Sequence, residues 1–464
     1  MNDPKNYQSP FSWRYGSPEM RRLWSEENRR LTWRKLWVAL AEAESDWNLV
    51  TREQVEDLKA HAGEVDLPAS LEIEVSVRHD LVSEIRVFAS QCPTGGGIIH
   101  LGATSMDIKD NADVLLIRDS LEILIDELFH LLSVFAPLIE RTASLPVMAF
   151  THLQPAEPTT LGYRLAGTAQ DLIAEYRSLI ALRVDLKGKG FKGAVGNAAA
   201  FVEMLGEDRF EEFESRISAI IGLSFFPVAT QTYPRRQDLQ VLSMLSSLAG
   251  CLAKFALDVR FLQSQPIGEL AEPFGENQVG SSAMPFKRNP VEAEKIDSLA
   301  RHVSALPQVA WQNMAGSVLE RTLDDSANRR TILPETFLAL DEMITCTTRI
   351  VEGLTIREEA IQRTISTYGP FAGTERLLTV LTRNGADRQK VHEILRGHSL
   401  AAWREVEMGK PNPLEELISG DTVIGQYLTD GEIRELLNPG SYFGIAEKRA
   451  FAIAAEIRSL NPTK

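Results

Sequence analysis

The sequence predicts an all-α protein of two or three domains, organised around long central helices. Three observations predict it. Apolar residues recur at helical spacing through the middle of the chain, three long stretches there lack proline, and alternating strand patterns bounded by hairpin turns are nearly absent. At 464 residues the chain is too long for one ordinary core, so several domains are expected.

Taken in order, the polar segment Met1 to Ser12 has no apolar run before a cleavage site, and no secretory leader is expected. Trp13 to about Gly102 reads as a set of short helices, among them Leu31 to Leu49 with its stripe Trp33, Leu36, Trp37 and Leu40. From Asn111 the residues Val114, Ile117, Leu121, Leu124, Leu128, Leu131 and Phe135 recur every three or four positions. Val114 to Ile117 and Ile123 to Ile125 are apolar on nearly every side, as in a helix buried all round, and Pro137 is expected to kink or end it. Thr159 to Phe226, Arg235 to Gln265 and Glu335 to Gly369 are proline-free and helical in spacing; Leu239, Leu242, Leu245, Leu248, Leu252 and Phe255 show it in the second. Gly193 to Phe201, rich in Gly and Ala, is the one segment expected to be short extended structure. A last helical set begins near Arg357 and is broken by Gly385, Pro411, Pro413 and Pro439. The expected domains are therefore residues 1–104, 105–356 and 357–464. Middle helices that are apolar on more than one face suit a bundle that also packs against other subunits.

Composition narrows the function. The chain is 44% hydrophobic and 24% charged, as in ordinary soluble proteins. Its net charge of −15, from 64 acidic and 49 basic residues, argues against nucleic acid or an anionic membrane as partner. A small anionic substrate stays compatible, because a few arginines converging in a cleft outweigh the average field. The three cysteines, Cys92, Cys251 and Cys346, form no disulfide framework and no metal spacing, and are expected to be small buried residues in a reducing compartment. No segment offers about 18 consecutive apolar residues, so no membrane span is expected. Cytoplasm is the expected compartment.

The segment most informative about chemistry is Gly280-Ser281-Ser282-Ala283-Met284-Pro285-Phe286-Lys287-Arg288-Asn289-Pro290. Its two prolines force Met284 and Asn289 toward extended backbone, which makes it a loop holding hydroxyls, cations and an amide. A solvated connector would look similar. The string, however, resembles the signature of the fumarase/aspartase superfamily at every specified position. Arg321 to Arg330 and Trp13 to Met20 further resemble the adenylosuccinate lyase family, its animal-type branch in particular. His100 to Ser105, Phe150 to Pro155 and Gln231-Thr232-Tyr233 follow in the right order and spacing.

The resemblance implies a three-domain fold whose central long-helix bundle forms a homotetramer with active sites shared between subunits. It implies elimination of fumarate from succinylated purine nucleotides without metal or organic cofactor. Such a reaction removes a C–H proton beside a carboxylate, so cations must already be aimed at the charge that develops. The catalytic positions it implies are Ser281 as base, His152 as general acid and Lys287 as the cation offsetting the carbanion. A free serine is a poor base and needs a closed, water-poor site. His79, in Arg78-His79-Asp80, is the rival acid, and a plain charged helix face would also look like this. Substrate contacts are implied at Arg78, His79, Asp80, Thr151, Gln231 and Lys295, with Thr104 and Ser105 on the succinyl carboxylates. Asn289 would orient a carboxylate or the loop itself. Arg321, Ser326 and Arg330, joined by Arg14 and Tyr15, would bind a phosphate through forks and hydroxyls. The alternative for Arg321 to Arg330, with Asp324 and Asp325 between, is internal ion pairing. Relatives carry arginine where this chain has Lys295, and commonly tyrosine at Phe286. The rival functions are another superfamily lyase, such as argininosuccinate lyase, and a catalytically silent structural protein on the same scaffold.

Overall fold

A computed structural model describes residues 5–461, so the first four residues of the polar segment Met1 to Ser12 lie outside it. Seventeen α-helices and two two-stranded antiparallel ribbons occur among the described residues. The all-α expectation holds, and the departures from it are local.

Five helices form the central bundle: Ser105–Thr142, Leu161–Asp185, Arg236–Gln263, Val291–Ala315 and Asp324–Glu352. Their buried apolar faces merge into one cluster. The first starts on a capping box, Thr104 with Asp107. Its 38 residues span about 57 Å at 1.5 Å each. It does not end at Pro137, one of the two outcomes expected there. Pro307, Pro334 and Pro370 likewise lie inside helices. Proline removes one backbone bond and costs about 3 kcal/mol. Phe135, Ala136, Leu138 and Ile139 around Pro137 are all buried, and several apolar side chains at about 1.5–3 kcal/mol each outweigh that cost. The Arg236–Gln263 helix is long and apolar enough to cross a membrane by composition alone. Leu242, Leu245, Leu248, Leu252 and Leu262 instead face the bundle core.

Two corrections concern extended structure. Pro146–Thr151 pairs antiparallel with Gln154–Thr160, a hairpin that the sequence hid. In a two-stranded ribbon each strand has a free edge, so Pro155 and Pro158 are tolerated without a lost ladder bond. Gly193 to Phe201 is not extended: it bends, and a helix begins at Ala199. Asn197 Oδ1 accepts the Ala199 N–H, and burial of Phe201 holds the turn.

Two further buried clusters flank the bundle. One joins the Glu26–Asp46 and Asp80–Gln91 helices to Phe191, Phe201, Phe213 and Ile217 from later in the chain. The other lies among helices after Tyr368. The final helix, Ala446–Arg458, returns to the bundle and inserts Ala450, Ala454 and Ile457 between the first two of its helices. Cys92 and Cys346 are buried, whereas Cys251 is only half-buried.

Candidate active site

The cations predicted to grip an anion stand on rigid elements. Arg321 lies just before the Asp324–Glu352 helix, and Ser326 and Arg330 lie on its first two turns. Arg330 donates to Asp80 Oδ2 at 2.7 Å, a bond that joins positions 250 residues apart. Lys109 donates to both oxygens of Asp80, at 2.8 and 3.1 Å. Burial pushes the Asp80 carboxyl up, but Lys109 and Arg330 pull it down further and hold it well below the usual carboxylate range. Arg321 pairs with Asp325 at 2.8 Å, so the ion-pairing alternative is real for that residue. Asp325 is itself held by Arg235 at 2.6 Å. Beneath lies a buried network in which Arg235 and Arg329 share Asp110, while Arg329 also reaches Asp113, Asp238 and the Tyr233 hydroxyl. A cavity of about 50 Å³ opens among Lys109, Arg321, Ser326, Arg329 and Arg330.

Beside it, Arg78 ends a helix in the left-handed conformation at φ 54° and His79 caps the next. His79 Nδ1 accepts the Val82 N–H at 3.3 Å, which places the proton of the neutral ring on Nε2. That nitrogen faces Ser105 Oγ at 3.5 Å. Asp80 gives its short bonds to Lys109 and Arg330, and its Oδ1 stands 3.7 Å from His79 Nδ1. Thr104, at the start of the same spine helix as Ser105, is committed to its capping box. Gln231 docks against this region: its N–H donates to Glu320 O at 3.2 Å and its side chain to Ala194 O at 3.1 Å.

The proton-transfer candidates sit elsewhere. Thr151 and His152 occupy the exposed tip of the hairpin. His152 and Leu153 both have positive φ, 54° and 60°, the pair of left-handed residues that a tight hairpin turn requires. Non-glycine residues hold that conformation at some cost, and here it projects the imidazole outward. Ser281 lies on the irregular stretch between Ala271 and Val291. Its Oγ accepts the N–H groups of Met284 and Ala283 at 3.1 and 3.4 Å. A side chain on Gly280 would collide with the Lys287 carbonyl, which accounts for glycine there. Asn289 donates to Gly280 O at 3.0 Å and so serves the loop. Lys287 and Arg288 are exposed, with no ion pair among the described residues.

The structure thus brings Asp80, His79, Ser105, Arg321, Ser326 and Arg330 into one neighbourhood. Among the described residues no hydrogen bond, ion pair or cavity links Ser281 to His152, or either to that neighbourhood. Arg14 and Tyr15 fold against the far part of the Asp324–Glu352 helix through Gly16 and Ser17. Glu342, which holds Gly16, lies twelve residues beyond Arg330, about 18 Å along the helix. Lys295 does not point to a free site; it donates to Glu342 at 2.9 Å and Glu292 at 3.2 Å.

Sequence reasoning missed Lys109, although it stands four residues after Ser105, one turn along the same face. It also missed Gln263 and Glu272, for which no local signal exists. Gln263 takes the Glu272 N–H at 2.9 Å and donates to Arg288 O at 3.2 Å, tying together the two stems of the Ser281 loop. Glu272 in turn accepts the N–H groups of Glu292 and Ala293 at the start of the next helix.

The pattern of the family described as Lyase matches residues 15–305, and that described as Adenylosuccinate lyase C-terminus matches residues 370–450. Adenylosuccinate lyase of Saccharomyces cerevisiae is 38% identical over 97% of this chain and 94% of that protein. The adenylosuccinate lyase of Schizosaccharomyces pombe is 36% identical over the same shares, 97% and 94%. Among solved structures, the chain is similar to 3-carboxy-cis,cis-muconate lactonizing enzyme from Pseudomonas putida, with a TM-score of 0.87, 25% identity, and 97% and 99% of the two chains covered. A fumarate lyase from a Mesorhizobium species gives a TM-score of 0.84 at 22% identity over 97% and 99%, and speaks to the fold alone. With relatives 36–38% identical along nearly its whole length and the C-terminal pattern matched, this chain belongs to the adenylosuccinate lyase family.

Proposed function

We propose that the chain eliminates fumarate from adenylosuccinate, giving AMP, and from the succinylaminoimidazolecarboxamide ribotide intermediate of purine synthesis. The observation that carries this reading is the array of Lys109, Arg321, Ser326 and Arg330 around one cavity, pre-set by buried carboxylates. A phosphate arriving there meets donors whose orientation is already fixed, so little ordering remains to be done on binding. Argininosuccinate carries no phosphate, which disfavours that rival.

In the proposed reaction Ser281 takes the proton from the carbon beside the succinyl carboxylate. The C–N bond breaks as the double bond of fumarate forms, and His152 protonates the departing nitrogen. Two main-chain N–H groups aimed at Ser281 Oγ favour its alkoxide, the form a serine base needs. Lys287 offsets the developing negative charge, and Thr104 and Ser105 hold the succinyl carboxylates. The roles assigned to these residues require a second and third chain, because one chain leaves Ser281, His152 and the cation array apart. Exposed Tyr163, Val184, Leu257 and Trp311 on the bundle helices support a homotetramer. Cytoplasm is the proposed compartment, and the chemistry calls for no cofactor.

The test is the release of fumarate, followed by absorbance, from both nucleotides and from argininosuccinate. Turnover of the two nucleotides alone is expected. Turnover of argininosuccinate alone, or of none, would favour one of the two rivals.

A further inference from the structure

The hairpin that carries His152 is anchored at its base. Val147 and Met148 are fully buried there, and the Leu161 N–H closes the ribbon by donating to Leu145 O at 2.9 Å. Towards the tip burial gives out, and residues 151–154 are all exposed. The strand register shifts between these two zones, from Met148 to Phe150. Arg164, near the start of the Leu161–Asp185 helix, meets the ribbon at this point and donates Nη2 to the Met148 carbonyl at 2.6 Å. Pro158, opposite Met148 in the register, carries no N–H, and Arg164 supplies a donor there.

Behind Arg164 lies buried Glu269, whose Oε2 stands 3.8 Å from Arg164 Nη1. Glu269 has a fixed seat. Its carbonyl accepts the Arg357 N–H at 2.9 Å, and Arg357 Nη1 donates to the Gly268 carbonyl at 3.3 Å. Burial pulls the Arg164 guanidinium below its usual range and pushes the Glu269 carboxyl up, and each charge is the strongest offset the other has. A buried ion pair without a short hydrogen bond is a weak source of stability. What it supplies is a fixed place for the guanidinium.

We infer that Arg164 is a positioning residue: seated on Glu269, it fixes the Met148 carbonyl and so sets the direction in which the hairpin carries His152. His152 stands four residues beyond Met148, about 13 Å along an extended strand. A tilt of about 10° at Met148 would move the imidazole by about 2 Å, and about 1 Å of misplacement at a reacting group costs about 10²-fold in rate. Turnover then depends on an arginine that acts through the ribbon and not on the substrate.

This inference rests on the proposed role of His152 as acid, and the experiment separates the two. Arg164→Met alone would leave Glu269 buried without its cation, so it is combined with Glu269→Gln in the full-length enzyme. The Glu358–Arg383 helix still packs against both strands, and the double variant is expected to melt near the wild type. On adenylosuccinate its kcat is expected to fall about 10- to 100-fold, with KM within about threefold. In a His152→Gln background the same two changes should lower kcat no further, since the group they misplace is gone. Hydrogen exchange across residues 146–160 should quicken, while that of the Ser105–Thr142 helix stays as in the wild type. Arg164→Lys, which keeps the charge beside Glu269 but loses the fork, should melt as the wild type and recover part of kcat. A kcat that follows Tm across these variants would make Arg164 purely structural and overturn the inference. So would a wild-type kcat in the double variant, or unchanged exchange in the hairpin. Wild-type turnover by His152→Gln would remove the acid and this inference with it. A large loss in His152→Gln, with the Arg164 effect undiminished in that background, would overturn the inference alone.

Discussion

The proposed anion-binding end of the site and its proposed proton-transfer end are built in opposite ways. Arg321 and Arg330 stand at a helix start, each already paired to a buried aspartate. Ser281 and His152 stand on an irregular loop and a hairpin tip, and His152 and Lys287 are exposed. Groups that bind a constant phosphate gain from being fixed beforehand, because less freedom is lost on binding. Groups that move protons must meet the substrate only after water has left, which suits placement on an irregular loop and a hairpin tip. One end is rigid by its ion pairs, and the Ser281 loop is tied at its stems by Gln263 and Glu272 and across itself by Asn289 to Gly280.

The largest effect expected is at the loop. Ser281→Ala should lower kcat by about 10⁴ or more while still trapping intact substrate, since the hydroxyl is wanted in the transition state. Tryptic cleavage at Lys287 or Arg288 should be rapid in the free variant and slow in its complex; equal rates would erase the contrast between a movable and a fixed end. Next comes the hairpin: His152→Gln should reduce kcat by about 10²–10⁴ with little change in substrate binding. A greater loss in His79→Gln would shift the acid onto the rigid side and break the comparison. At that side, Arg330→Ala should weaken substrate binding by about 2–5 kcal/mol, read as a raised KM with kcat nearly kept. The fold should survive, because Asp80 retains Lys109. An unchanged KM with unchanged melting would leave Arg330 as an ion-pair residue only.

The smallest effect concerns stability. Glu44 is buried, neither of its oxygens has a partner among the described residues, and burial pushes its carboxyl up to about 9. A folded pKa above the unfolded one means that its contribution is complete below the unfolded value, near 4.5, and is lost as pH rises toward 9. Glu44→Gln should therefore raise Tm at pH 8, by a gain on the order of a few kcal/mol, and the gain should vanish near pH 4.5. A constant difference across that range would mean that Glu44 stays ionised in the fold.

Much of this was legible in the sequence, for identifiable reasons. The spine helix showed itself because Val114 to Phe135 repeat at the helical period, and the loop because Pro285 and Pro290 fix its backbone. Helices running through Pro137 and Pro334 were hidden, since local rules register the lost hydrogen bond and not the burial that outweighs it. The hairpin carrying His152 was hidden because Pro155 and Pro158 look like strand breakers to anyone who cannot see that the ribbon has a free edge. Most opaque were partners far apart in the chain. Nothing near Lys295 announces Glu342, and nothing near Arg330 announces Asp80; only folding brings them together.

The last helix of the fold has a consequence for how the chain is made. Ala450, Ala454 and Ile457 close a core that Ser105–Thr142 and Leu161–Asp185 began some three hundred residues earlier. Arg458 grips Glu140, and the Tyr176 hydroxyl donates to Asn461 O. During synthesis, at about 5–20 residues per second, the groove that awaits this helix therefore stays open for about 13 s or more after its walls have emerged. Over that interval the nascent chain presents an uncovered apolar seam between the Ser105–Thr142 and Leu161–Asp185 helices.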